Sequence, residues 1–90
     1  MRIEADNIDD QTRQVLTNLN TVLSSRNLSL ADVVKTTVFL KNFADFGRMN
    51  AIYAAVFGPH RPARTTVEVS RLPLDALVEI ECVAVLPAAR

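Results

Sequence analysis

The run Val33-Val-Lys-Thr-Thr-Val-Phe-Leu40 constrains the fold most: eight residues, five of them β-branched, with Lys35 the only charge. Such a segment reads as a buried central strand. A central strand needs a neighbour on each side and a layer of helices to cover it, so the rest of the chain must supply both.

Two amphipathic segments can supply the cover. From Gln11 to Asn27, Val15, Leu16, Leu19, Val22 and Leu23 fall on one helical stripe, with Asp9 or Asp10 placed to cap it. Ser29 and Asp32 have the spacing of a small capping turn before the central strand. Asn42 or Asp45 can cap a second helix, whose Phe46, Met49, Tyr53, Val56 and Phe57 form an apolar stripe facing the sheet until Gly58-Pro59 stops it. Asn50 lies beside that stripe, where an unpartnered amide would cost about 1–3 kcal/mol, so it needs a specific reason to be there.

Two further segments alternate. In Arg64 to Val69, Arg64, Thr66 and Glu68 share one face; in Leu77 to Leu86, Glu79 and Glu81 oppose Val78, Ile80, Cys82 and Ala84. The short connection Ser70 to Ala76 suggests an antiparallel hairpin, which would place Arg64, Thr66, Glu68, Glu79 and Glu81 together on the polar face. With Val67 opposite Ile80, Arg64 would lie across from Val83 and be offset from Glu79 by more than about 13 Å along the strand. Those two groups would then meet only through a ligand or a neighbouring subunit. The expected order is α-β-α-β-β, one α/β (α+β) domain over residues 1–90 with no internal repeat or dividing linker.

Composition limits the chemistry. Ten basic and ten acidic residues cancel and are scattered, which gives no support for nucleic-acid binding. One cysteine and one histidine provide neither an intrachain disulfide nor a Cys/His metal set, and two glycines cannot build a phosphate loop. No metal site of the Cys/His kind is expected. No apolar run approaches the roughly 20 residues that span a bilayer, and the opening segment is polar and acidic rather than signal-like, so no membrane partner and a cytoplasmic location are expected. An apolar fraction of 49% is high for 90 residues, and a domain this small gains from association, so some of that surface is expected to face another subunit.

What remains as a candidate site is Arg64, a guanidinium able to grip a carboxylate bidentately, with Glu79 or Glu81 as a base or water-positioning group. The competing reading is cross-strand ion pairing on a solvated face, which is common and worth little. His60, in a Pro-flanked loop, reads as exposed rather than catalytic. Cys82 alternates onto the apolar face as a small core residue, and Tyr53 reads as packing.

Taken together, Val33 to Lys41, Asp45-Phe46 with Asn50 and Tyr53, Arg61-Pro-Ala-Arg-Thr-Thr-Val-Glu-Val69, Leu72-Pro73 and Val78-Glu-Ile-Glu81 resemble the reactive intermediate deaminase (Rid, YjgF-like or L-PSP) family. The likeness runs from about Gln11 to Leu86. It implies a chorismate-mutase-like mixed sheet with two helices on one face, assembled as a homotrimer with sites between subunits. The implied activity is cofactor-independent hydrolysis of enamines and imines such as 2-aminoacrylate to a keto acid and ammonia. By the same resemblance Arg64 binds the substrate carboxylate, Glu79 positions or activates water, and Asn50 lines the site. Thr66 stands where the family often has cysteine and is expected to contact substrate. Relative to the family the chain looks N-terminally shortened by some forty residues. Two alternatives stay open: a non-catalytic oligomer that binds small carboxylates or regulates, favoured by that shortening, and a ribonuclease or translation inhibitor, which the neutral charge does not favour.

Overall fold

The structure is a computed structural model and describes residues 7–86; the polar opening segment, residues 1–6, lies outside the described residues. Helix α1 spans Ile8–Ser24, strand β1 Val33–Leu40, helix α2 Phe46–Phe57, strand β2 Ala63–Glu68 and strand β3 Val78–Ala84. The α-β-α-β-β order and the two-helix, mixed-sheet architecture agree with the sequence reading.

α1 begins earlier than its apolar periodicity indicates. Asn7, not Asp9 or Asp10, caps it: Asn7 Oδ1 accepts from the Asp10 backbone N–H at 2.9 Å. Asp9 and Asp10 instead occupy the first turn, where a carboxylate faces the positive end of the helix dipole. Val15, Leu16 and Leu23 are buried, but Val22, on the edge of the same stripe, is 64% exposed. Polar residues take part of the core too. Thr12 Oγ1 donates to the Ile8 carbonyl at 2.7 Å, and Gln11 Oε1 accepts from Leu77 N–H at 2.8 Å, tying α1 to the entry of β3.

The turn before β1 forms as its spacing predicts: Ser29 and Asp32 make a reciprocal capping box around the single 3-10 turn Leu30–Asp32. Asn42 caps a second 3-10 turn, Phe43–Asp45, rather than α2 itself, and Asp45 sits at the α2 N-cap without a side-chain cap bond. α2 buries Met49, Tyr53 and Phe57, whereas Val56 is turned outward. Gly58 ends the helix at φ 63°, a conformation that favours glycine. On the surface Arg48 clasps Asp9 through two hydrogen bonds of 3.1 and 3.0 Å, joining α2 to the start of α1. The Asp9 carboxylate raises the Arg48 pKa above its ordinary value.

β1 is central, in the order β2-β1-β3, but it is buried on one face only: Val33, Thr36, Val38 and Leu40 lie in the core, while Lys35 is exposed and Thr37 and Phe39 half-buried on the other side. The expected β2–β3 hairpin does not form. β2 runs parallel to β1, as a strand returning through a helix does, and β3 runs antiparallel on β1's other side. The connection after β2 carries buried Leu72 and Ala76 and a 3-10 turn, Pro73–Asp75, so it crosses from one sheet edge to the other instead of reversing tightly.

This topology changes which side chains meet. Arg64, Thr66 and Glu68 pair with Thr36, Val38 and Leu40 and therefore share their helix-covered face. Glu79 and Glu81 pair with Phe39 and Thr37 on the open face. The two sets expected together lie on opposite sides of the sheet. Core dependence is testable: Leu16→Ala, at a side chain only 1% exposed, is expected to cost about 2–5 kcal/mol in urea denaturation, and Val22→Ala less than about 0.5 kcal/mol.

Candidate functional site

The turn of β2 toward α2 places Arg64 beneath that helix. Its Nη1 donates to Asn50 Oδ1 at 2.5 Å, and its guanidinium carbon lies 4.9 Å from the Tyr53 ring centroid and 5.4 Å from that of Phe46. Both distances fall within the range of cation–π attraction, about 0.5–2 kcal/mol each depending on desolvation. The polar residue that looked anomalous on the α2 stripe thus has its reason: Asn50 is the hydrogen-bond partner of a half-buried arginine.

The two rings are themselves held. Tyr53 OH and Thr36 Oγ1 share a buried hydrogen bond of 2.7 Å, and Thr36 is the β1 residue in register with Arg64. Phe46 stacks on Phe43 with centroids 5.2 Å apart and planes at 14°. The Phe43 N–H in turn donates to Glu68 Oε1 at 2.7 Å, so the carboxylate four residues after Arg64 steadies the aromatic turn beside it.

A cleft of about 420 Å³ opens against this group, lined by Asn50, Tyr53, Ala54, Arg61, Pro62 and Arg64. Among the described residues no acidic side chain lines it. Thr66, two residues beyond Arg64 on the same face, has a buried Oγ1 without a hydrogen-bond partner among the described residues. Of the sequence candidates, Arg64, Asn50 and Thr66 therefore lie on one side of β2, with Arg64 and Asn50 in direct contact. Glu79, half-buried, and Glu81, exposed, do not join them.

Other candidates resolve into structural roles. His60 is half-buried rather than exposed: its Nε2 bonds the Val33 carbonyl at 2.7 Å, and since that oxygen only accepts, Nε2 carries the proton. Cys82 packs against the core as expected, and burial pushes its thiol pKa up, which lowers its thiolate fraction at neutral pH. Tyr53 both packs and lines the cleft, a double role that its spacing of three from Asn50 on one helix could have signalled. Arg61 and Pro62, in an irregular loop, carry no periodic signal. Among the described residues no cluster of three His, Cys, Asp or Glu could hold a metal, and no helix is long and apolar enough to cross a membrane.

Fold and site together define a small α+β domain with a cationic cleft between a helix and an edge strand. Sequence comparison places it further. The Endoribonuclease L-PSP family model matches residues 1–86, and the chain belongs to this family, whose members also go by the names Rid, YjgF and RutC. A RutC family protein of Pyrococcus horikoshii is 56% identical over 77 residues, 86% of this chain and 61% of that protein. The 2-iminobutanoate/2-iminopropanoate deaminase of Salmonella typhimurium is 45% identical over 84 residues, 90% of this chain and 66% of that protein. The crystal structure of E. coli TdcF with bound serine superimposes with a TM-score of 0.88 at 38% identity, covering 96% of this chain and 69% of that one. The chain thus spans less than two thirds of the length of the first two relatives.

The buried Thr36–Tyr53 bond gives a check on the site's foundation. Thr36→Val keeps the shape but strands the Tyr53 hydroxyl, and is expected to cost about 1–3 kcal/mol in chemical denaturation. Thr36→Ser, which retains the hydroxyl, is expected to lose less.

Proposed function

We propose that the chain hydrolyses reactive enamines and imines of 2-amino acids to keto acids and ammonia, with the substrate carboxylate on Arg64. The observation that carries this reading is Arg64 itself: a guanidinium oriented by Asn50 and two aromatic rings, opening on a cleft where no carboxylate among the described residues pairs with it. A small organic carboxylate completes that environment bidentately. Asn50 would line the bound molecule, whereas Thr66, whose buried Oγ1 has no hydrogen-bond partner among the described residues and which is not one of the lining residues, would contact it only after local rearrangement. The deaminase name of the Salmonella relative and the serine bound to the E. coli neighbour point to the same class of substrate.

The chemistry is a water addition. An enamine first shifts a proton from nitrogen to C3 to become the imine; water then bonds to C2, both of its protons pass to the nitrogen as the adduct forms and collapses, the C–N bond breaks, and ammonia leaves behind the keto acid. Arg64 contributes by fixing C2, and a carboxylate that orients water and takes up its proton contributes general-base assistance. Glu79 is the proposed carboxylate. It lies on the opposite sheet face from Arg64 in the same chain, so its participation requires a second copy. A homo-oligomer, proposed as a trimer, with the site between subunits would bring Glu79 of one copy to Arg64 of another. The half-buried Phe39 and the exposed Val67 and Val83 on the open face offer apolar surface for that contact.

A second reading is favoured because, among the described residues, the only acid or base groups lining the cleft are Tyr53 and the two arginines: a non-catalytic oligomer that binds small carboxylates. Ammonia release from enzymatically generated 2-aminoacrylate separates the two. Acceleration above the spontaneous rate, with kcat/KM falling about 10- to 100-fold in Arg64→Ala, is the deaminase outcome. Ligand binding without acceleration is the other. For the shared site, oligomers reconstituted from equal amounts of Arg64→Ala and Glu79→Gln chains are expected to regain activity at about a quarter of their sites, well above the residual activity of either variant alone. No recovery from mixed oligomers would rule out a site built from both copies.

A further inference from the structure

Arg64 is not the only cation of the cleft. Arg61, exposed in the loop before β2, lines it as well, and among the described residues no Asp or Glu does. Two guanidiniums on one small concavity repel each other, and neither forms an ion pair with a carboxylate among the described residues.

Arg61 is also held in place. Its Nη1 donates to the Gly58 carbonyl, at the end of α2. Gly58 sits at φ 63° and ψ −133°, which favours glycine and sets the direction of that carbonyl. A cation there complements the negative end of the α2 dipole. Capping, however, uses one N–H of the five that a guanidinium carries, and the others remain for a ligand. Arg64 is tethered similarly, through one bond to Asn50. The cleft therefore offers two anchored guanidiniums, both with donors to spare, and a volume of about 420 Å³ that accommodates a four- or five-carbon acid.

From this pairing we propose that the cleft selects ligands with two carboxylates: Arg64 takes the carboxylate next to the reacting carbon and Arg61 the distal one. The inference rests on the deaminase reading for its reaction, and in that setting it names the substrate class as 2-imino dicarboxylates, the imines formed when acidic amino acids are oxidised at the amine-bearing carbon. The distal carboxylate takes no part in the bond changes. Its contact with Arg61 adds binding and orientation, and discriminates against the shorter or apolar side chains that leave Arg61 without a counter-charge.

Succinate and butyrate, four-carbon acids that differ in the second carboxylate, probe this directly by calorimetric titration at fixed ionic strength. Wild type is expected to bind succinate at least about tenfold more tightly, the value of one added charge-assisted hydrogen bond. In Arg61→Gln the preference is expected to shrink to within about twofold, and Arg61→Lys, which keeps the charge but not the fork, to retain part of it. The ratio is the informative quantity, because loss of a helix cap would weaken both acids alike. Equal affinities in wild type, an unchanged ratio in Arg61→Gln, or binding of neither acid would overturn the proposal. Turnover separates it from the reading on which it rests. Hydrolysis of 2-iminopropanoate at a kcat/KM equal to or above that of 2-iminosuccinate sinks the dicarboxylate preference and leaves the deaminase. Arg61-dependent succinate selectivity with hydrolysis of neither imine sinks the deaminase and leaves the preference.

Discussion

The buried hydrogen bond between Thr36 and Tyr53 joins the central strand to the second helix at the point where the cleft is built. Tyr53 is 7% exposed and Thr36 1%, so neither hydroxyl has water as an alternative. With the phenol fixed, the ring presents a face to Arg64 at 4.9 Å, and the arginine next to Thr36 in the sheet register has a defined place to lie. Asn50, one helical turn before Tyr53, then reaches the same guanidinium. Three elements thereby position one cation, and what each contributes would be lost without the others.

Topology makes that convergence possible. A strand that follows a helix and runs parallel to its predecessor presents the same face to the covering helix, so Arg64 arrives under α2. β3, on the far side of β1, sends Glu79 to the open face. Within one chain the cationic cleft and the carboxylate proposed for catalysis are separated by the thickness of the sheet. The proposed self-association would bring them together, and it would cover the apolar residues of the open face at the same time.

Much of this was legible in the sequence, and the exceptions have physical reasons. The central strand, the stop at Gly58-Pro59 and the Ser29–Asp32 box follow from local chemistry that tertiary contacts do not override. The pairing of β2 and β3 was misread because a seven-residue connection with turn residues fits a hairpin as well as a crossing; buried Leu72 and Ala76, which decide the matter, have no local signature. Alternation correctly grouped Arg64 with Thr66 and Glu68, and Glu79 with Glu81. Which face each group occupied depended on sheet order, and period-two patterns do not encode order. Asn50 stood out because polar groups on apolar stripes require partners. Arg61 did not, because loop residues carry no such expectation.

The central claim is that Arg64, held by Asn50 and Tyr53, receives a ligand carboxylate, and its side-chain resonances report on this directly. In a 15N spectrum of the guanidinium groups, titration with 2-oxobutanoate should shift the Arg64 Nε–H signal along a saturating curve and slow its exchange with water, as new charge-assisted hydrogen bonds form. An Arg64 signal that stays unmoved while the ligand binds elsewhere, or while no binding occurs at all, would contradict the claim.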